Sequence, residues 1–110
     1  MGMVAVSRFD VVLVQLDPTV GREIQKTRPC IVVSPDVMNR HLDTVIVLPM
    51  TTKVKSFPMR LPITFQHRRG EIAVDQIRTV SLQRIVKKIG KINERSARDL
   101  CGKLTEMFEF

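Results

Sequence analysis

Two segments of this chain concentrate its polar chemistry. GREIQKTRP, at 21–29, brings Arg22, Glu23, Lys26, Thr27 and Arg28 together and closes on an Arg-Pro pair. PMTTKVKSFP, at 49–58, sets the hydroxyls of Thr51 and Thr52 beside Lys53, Lys55 and Phe57. Both connect strongly apolar runs. A guanidinium fork such as that of Arg28 donates two parallel hydrogen bonds to phosphate oxygens. Threonine hydroxyls donate to the same oxygens, lysines add positive charge, and Phe57 offers a face on which a base can stack. The set suits metal-free cleavage of RNA. In that reaction the neighbouring 2′-hydroxyl attacks phosphorus, and the protein removes one proton, returns one to the leaving oxygen and stabilises charge on the phosphorus oxygens.

Each of these residues also has a plainer role open to it. Arg28 can be a strand-entry arginine pinned by Pro29 and paired with Glu23, and the two threonines can simply build a turn. His41, in NRHLD, and His67, in QHRRG, fall in loop-like stretches outside any motif and read as surface residues. No HExxH, Walker loop, GxSxG or paired-cysteine signature occurs, so metal hydrolysis, nucleotide hydrolysis and triad catalysis have no support. No metal site or cofactor is expected. With no tryptophan or tyrosine and five phenylalanines, stacking cannot dominate recognition.

The elements that must position these loops are mostly strands. DVVLVQL (10–16), PCIVVS (29–34), DTVIVLPM (43–50), MRLPITF (59–65), GEIAVDQI (70–77) and RIVKKIGKI (84–92) are β-branched or alternating runs bounded by turn residues. Pro62 predicts an edge or bulge position for the fourth. Ser34-Pro35-Asp36 can start about one helical turn. Towards the C-terminus Ala97, Leu100, Cys101, Leu104, Met107 and Phe108 recur at three- and four-residue intervals and predict one helix, capped by Asn93 and stapled by Ile92 and Ala97. Six short strands with one helix predict a mainly β (α+β) fold, a small, strongly curved sheet or partly open barrel.

At 110 residues, with no repeat or linker, the chain reads as a single domain spanning 1–110. A net charge of +7 and a pI near 10.1 favour a polyanionic partner, nucleic acid first and an acidic protein second. No apolar run approaches the roughly 20 residues that span a bilayer, and the reading is a cytoplasmic protein with no membrane partner. Cys30 and Cys101 lie at apolar-patterned positions without metal-ligand spacing, which predicts core packing and no disulfide.

VVLVQLDPTVGREIQKTRPCIVVS, VLPMTTK and IAVDQIRTVS, in this order, resemble the MazF/PemK family of toxin–antitoxin toxins, which includes Kid. The resemblance runs over nearly the whole chain. Its most specific part is the ordered series Leu16-Asp17-Pro18, Gly21-x-Glu23, Thr27-Arg28-Pro29. It implies an SH3-like barrel of the PemK/CcdB kind. The implied activity is that of a sequence-specific, metal- and ribosome-independent endoribonuclease, an mRNA interferase of a type II toxin–antitoxin system. Such an enzyme cuts single-stranded RNA to leave a 2′,3′-cyclic phosphate. It further implies a homodimer with the RNA groove at its interface, under the loops after the first and third strands, and an acidic antitoxin of the MazE/PemI kind that blocks that groove. By motif, Arg28 and Thr51 resemble the family's catalytic pair, with Glu23 supporting the site. Arg22, Lys26, Thr27, Thr52, Lys53, Lys55, Phe57, Asp75 and Gln76 fall in the RNA-contacting stretches.

Three departures qualify the resemblance. In the Kid branch the aspartate of the DQ pair works with an arginine two residues earlier, but Ala73 stands there in this chain. An Arg28/Thr51 mechanism is therefore expected, with Asp75 hydrogen-bonding scaffold or RNA. Arg22 replaces a common serine or histidine and can add a phosphate contact. Ile24 replaces a polar residue, which predicts that its loop packs onto a neighbour. The alternatives are a CcdB-like toxin that acts on DNA gyrase through protein contacts, and an RNA-binding module without catalysis.

Overall fold

The computed structural model describes residues 5–110. Seven strands and two helices follow in chain order: β1 Asp10–Gln15, β2 Thr27–Val32, α1 Asp36–Asn39, β3 Thr44–Thr51, β4 Arg60–Phe65, β5 Arg68–Ala73, β6 Arg78–Ser81, β7 Ile85–Lys91 and α2 Glu94–Phe108. The described strands pair antiparallel in the order β4-β5-β3-β2-β1-β7, with β6 also on β3. The result is an open, curved, mainly β fold, with seven strands where the sequence pattern predicts six. β6 is the addition. The apolar alternation of GEIAVDQI runs to Ile77, but the backbone leaves β5 at Ala73, makes a 3₁₀ turn over Val74–Gln76 and re-enters the sheet as β6.

β3 organises the sheet. Its N-terminal half pairs with β6, from Thr44↔Ser81 to Val47↔Arg78, while on the same edge its end pairs with β5 through Met50↔Ile72 and Thr51↔Glu71. β2 lies along its other edge, with Cys30↔Pro49 and Val32↔Val47 in register. β4 ends the sheet, and Pro62 sits on this edge strand, where a missing N–H costs little.

The continuous apolar runs of β1 to β3 follow from burial on both faces. Alternate side chains point to opposite sides of a strand. Val11, Ile31 and Leu48 therefore enter one core cluster with Ile72 and Val74, while Val12, Cys30, Val32 and Val47 enter a second with Val14, Leu16 and Val80. α2 covers the first cluster through Ala97 and Leu100, with Leu104 and Met107 at its margin. Leu100 is fully buried, and its truncation to alanine costs about 2–5 kcal/mol. Asn93 Oδ1 accepts the Ser96 amide at 2.8 Å, and Ile92 and Ala97 are both buried beside it, as the capping pattern predicts. Phe108 departs from the predicted stripe: at the last turn it is exposed. Ile24 packs against the second cluster, so the β1–β2 loop is tied to the core, as its apolar character predicts.

Candidate functional site

The two polar segments meet because β2 and β3 run antiparallel. Cys30 faces Pro49 in that ladder, and two further residues along it set Arg28, at the start of β2, against Thr51, at the end of β3. Arg28 and Thr51 line one cavity of about 500 Å³. Arg22 and Glu23 close it from the β1–β2 loop; Lys53, Lys55 and Phe57 from the β3–β4 loop; and Arg60, Asp75 and Gln76 from the side of β4 and the 3₁₀ turn. Two loops distant in sequence thus become facing walls.

Each wall is held by identifiable hydrogen bonds. Gln76 Oε1 accepts the Ile24 amide at 2.7 Å and its Nε2 donates to the Arg22 carbonyl at 3.4 Å, tying the β1–β2 loop to the 3₁₀ turn. Glu23 Oε1 accepts the Val20 amide at 2.7 Å within its own loop. Arg28 Nε donates to the Gln25 carbonyl at 3.0 Å, and among the described residues its guanidinium forms no ion pair. The Arg28–Glu23 pair that the spacing allowed is therefore not formed. Both nitrogens at the end of the Arg28 fork remain available to an anion. Thr51 Oγ1 accepts the Lys53 amide at 3.1 Å, the turn that two threonines can build, yet its O–H keeps the ability to donate.

Not every expected residue converges. Lys26 and Thr27 are exposed and lie outside the 500 Å³ cavity; the Lys26 carbonyl accepts from the Leu16 amide. Thr52 faces a second cleft of about 310 Å³, which also borders Arg28 and Thr51 and is flanked by the exposed Arg68 and Arg69. The adjacent arginines of QHRRG were the available signal for that basic pair. His67 is exposed and His41 is exposed, and neither lines either cleft.

The largest addition is a charged network. Arg60 Nε donates to Asp75 Oδ1 at 2.7 Å, Nη2 to Asp75 Oδ2 at 3.3 Å, and Nη1 to Glu71 Oε1 at 3.4 Å. Its side chain is almost wholly covered, as is that of Glu71. Hydrogen bonding to Asp75 outweighs burial and raises the Arg60 pKa above its ordinary value. For Glu71, burial pushes the pKa up, but the Lys55 and Ser56 amides together with Arg60 overcome it and hold the carboxyl below the ordinary glutamate value. Arg60 pairs with Ala73 in the β4–β5 register. A guanidinium thus reaches Asp75 from the neighbouring strand although position 73 carries only a methyl, and Asp75 is held as a scaffold carboxylate. The one sequence signal was Glu71 directly ahead of the apolar Ile72-Ala73-Val74 run.

Gly70 completes the local fit. A Cβ there would collide with the Thr51 carbonyl oxygen, so β5 can pass this close to β3 only with glycine. No helix among the described residues is long and apolar enough to cross a membrane.

Comparison with known proteins identifies the family to which the fold belongs. A family described as PemK-like, MazF-like toxin of type II toxin-antitoxin system matches residues 7–108. Endoribonuclease PemK of Escherichia coli is 31% identical over 104 residues, covering 89% of this chain and 78% of that protein. Endoribonuclease EndoA of Bacillus subtilis (strain 168) is 30% identical over 95 residues, covering 81% and 82%. Endoribonuclease toxin MazF of Escherichia coli (strain K12) is 32% identical, but the match spans only 66% of this chain and 65% of that protein. Among solved structures, MazF from Deinococcus radiodurans superposes with a TM-score of 0.85 over 97% of this chain and 99% of that one at 19% identity, a likeness of fold. With a family match from end to end of the described fold and relatives at 30% identity or more over most of its length, the chain belongs to the PemK-like, MazF-like toxins of type II toxin–antitoxin systems.

Proposed function

We propose that the protein is a sequence-specific, metal- and ribosome-independent endoribonuclease that cuts single-stranded messenger RNA in the cytoplasm. The observation that carries this reading is the convergence of an unpaired Arg28 fork, the Thr51 hydroxyl and a lysine-bearing loop on one cavity. The relatives' names as endoribonucleases support it.

In this reading the residues lining the cavity take distinct tasks. Arg28 Nη1 and Nη2 donate to the two non-bridging phosphate oxygens, and their positive charge opposes the negative charge that grows there as the 2′-oxygen bonds to phosphorus. Thr51 Oγ1 donates to the same oxygens or to the departing 5′-oxygen. Of the carboxylates lining the cavity, Asp75 is committed to Arg60, whereas Glu23 uses only Oε1 on its own loop. Glu23 Oε2 is therefore the acceptor for the 2′-hydroxyl proton. The bond from phosphorus to the 5′-oxygen then breaks, that oxygen takes a proton from water in the open cleft, Glu23 returns its proton to solvent, and a 2′,3′-cyclic phosphate remains. Arg22, Lys53 and Lys55 hold flanking phosphates, Phe57 contacts a base, and Gln76 keeps the first loop in place.

The partners follow from charge and from the relatives. A chain of net charge +7 suits an acidic antitoxin segment as well as RNA, and a Deinococcus radiodurans MazE–MazF complex shares this fold with a TM-score of 0.77. The reading includes a homodimer that completes the RNA groove. Its test is incubation of the purified protein with long single-stranded RNA in EDTA beside Arg28→Ala and Thr51→Ala. Site-specific cuts with cyclic-phosphate ends, lost in both variants, support it. Binding without cutting would identify a non-catalytic module, and neither binding nor cutting would redirect the search to protein targets.

A further inference from the structure

The β3–β4 loop has little ladder pairing of its own, and two of its residues, Ser56 and Met59, hold left-handed φ values of +55° and +64°. Its middle is fastened by one side chain. Glu71, 2% exposed, accepts the Lys55 amide on Oε1 and the Ser56 amide on Oε2, each at 2.9 Å. Arg60 bridges the same carboxylate to Asp75, which fixes the plane of its guanidinium on three hydrogen bonds. Arg60 Cζ lies over one face of the Phe57 ring, 5.3 Å from its centroid. Phe57 nevertheless remains 52% exposed and borders the cavity that Arg28 and Thr51 share.

A half-exposed aromatic ring braced from beneath by a partly buried ion network gains little from packing alone, since about half of its surface still meets water. The arrangement suits a flat partner on the open side of the ring. We propose that Phe57 is a preformed stacking platform for one nucleobase next to the scissile phosphate, with Arg60 and Glu71 as the positioning residues that hold it. This rests on the ribonuclease reading and adds to it the part of the substrate that the loop takes. Because the loop is fastened before RNA arrives, its ordering does not have to be repeated on binding.

The test couples a change in the protein to a change in the RNA. Once the cut site is mapped, an oligonucleotide with 2′-deoxy sugar at the cleaved nucleotide is bound intact, and an abasic residue is placed in turn on each side of the cut. For the wild type one abasic position should weaken binding about 5- to 150-fold, the range of a base–aromatic stack. In Phe57→Ala that penalty should shrink to within about twofold, while Phe57→Tyr should retain it. Glu71→Gln, or Arg60→Lys if the first fails to fold, should also lose most of the penalty, a readout that general destabilisation of a folded protein would not move. A penalty that persists in Phe57→Ala overturns this inference alone. Loss in Phe57→Ala with full retention in folded Glu71→Gln and Arg60→Lys overturns the positioning roles. A wild-type protein that neither cuts nor binds RNA overturns the ribonuclease reading and this inference together.

Discussion

Arg60 pairs with Ala73 across the β4–β5 ladder, and its guanidinium extends to Asp75, with Nε 2.7 Å from Oδ1. An arginine from one strand and a carboxylate from the turn after another thereby become one unit, and Glu71 is its buried third member. Removing the centre of such a unit leaves the buried Glu71 carboxylate without its counter-charge, while the more exposed Asp75 returns to water. Arg60→Ala should therefore destabilise the fold by up to about 3 kcal/mol, the low end for breaking a buried ion pair, because Glu71 keeps the Lys55 and Ser56 amides. Asp75→Asn, at the more exposed end, should cost clearly less. Urea unfolding monitored by far-ultraviolet circular dichroism checks both values.

Arg28 and Thr51 should be separable from stability. Neither side chain anchors another element through an ion pair, so Arg28→Ala and Thr51→Ala should shift stability by no more than about 1 kcal/mol. Single-turnover cleavage should fall roughly 10²- to 10³-fold for each, the usual effect of removing one donor to a developing negative charge. Arg28→Lys should recover little, because a point charge cannot reproduce the fork. A variant that unfolds and loses activity in parallel would contradict this separation.

Gly70→Ala should act on Thr51 from outside the cavity. Its new methyl meets the Thr51 carbonyl, which is backbone and cannot rotate away. Overpacking of this kind costs about 1–3 kcal/mol. Cleavage should drop further than that loss of stability explains, because the displaced residue carries the Thr51 hydroxyl. Parallel measurement of thermal midpoint and cleavage rate distinguishes the two effects.

Two titrating groups make opposite predictions with pH. Glu71 has a lowered pKa in the folded protein, so its contribution to stability is present above the ordinary value of 4.5 and is lost as pH falls through the lower folded-state value. Glu71→Gln should flatten that acid limb of the stability curve. Cys30 is the reverse case: burial pushes its thiol from 9.0 to about 12, partly opposed by Arg78. Its contribution is complete below pH 9.0 and is lost as pH rises towards about 12. At neutral pH Cys30 should resist a thiol reagent until the protein unfolds, whereas half-buried Cys101 should react in the native state.

Lys53 and Lys55 should contribute mainly through charge. Each contact to a phosphate of single-stranded RNA adds about 0.7 to the slope of log affinity against log salt. Lys53→Ala and Lys55→Ala should each reduce the slope by about that amount, with the cut sequence unchanged. Fluorescence anisotropy across a salt series reads the slope, and an unaltered slope would remove the lysine from the RNA track.

What the amino-acid sequence determined by itself was what local chemistry controls. β-branched runs bounded by Asp-Pro, Ser-Pro and Gly marked most of the strands, because side-chain branching and turn residues act within a few positions. The Asn93 cap and the Ala97–Leu100 stripe marked α2 for the same reason. The polar residues of 21–29 and 49–58 marked both walls of the cavity, since their density between apolar runs is visible without a fold. β6 escaped because alternation continues through a 3₁₀ turn in which the backbone changes direction while the residue pattern does not.

Only the tertiary structure decided which groups meet. Antiparallel pairing brings Arg28 against Thr51, leaves Arg28 without Glu23, and turns Thr52 towards the second cleft. The Glu71–Arg60–Asp75 network joins residues 11 and 15 positions apart through cross-strand register, a relation with no period in the sequence. Phe108, written into the helical stripe, ends in solvent because α2 outruns the core it covers. Period and propensity act along the chain, whereas partnership depends on which strand lies beside which, and that is fixed only when the whole sheet closes over its two cores.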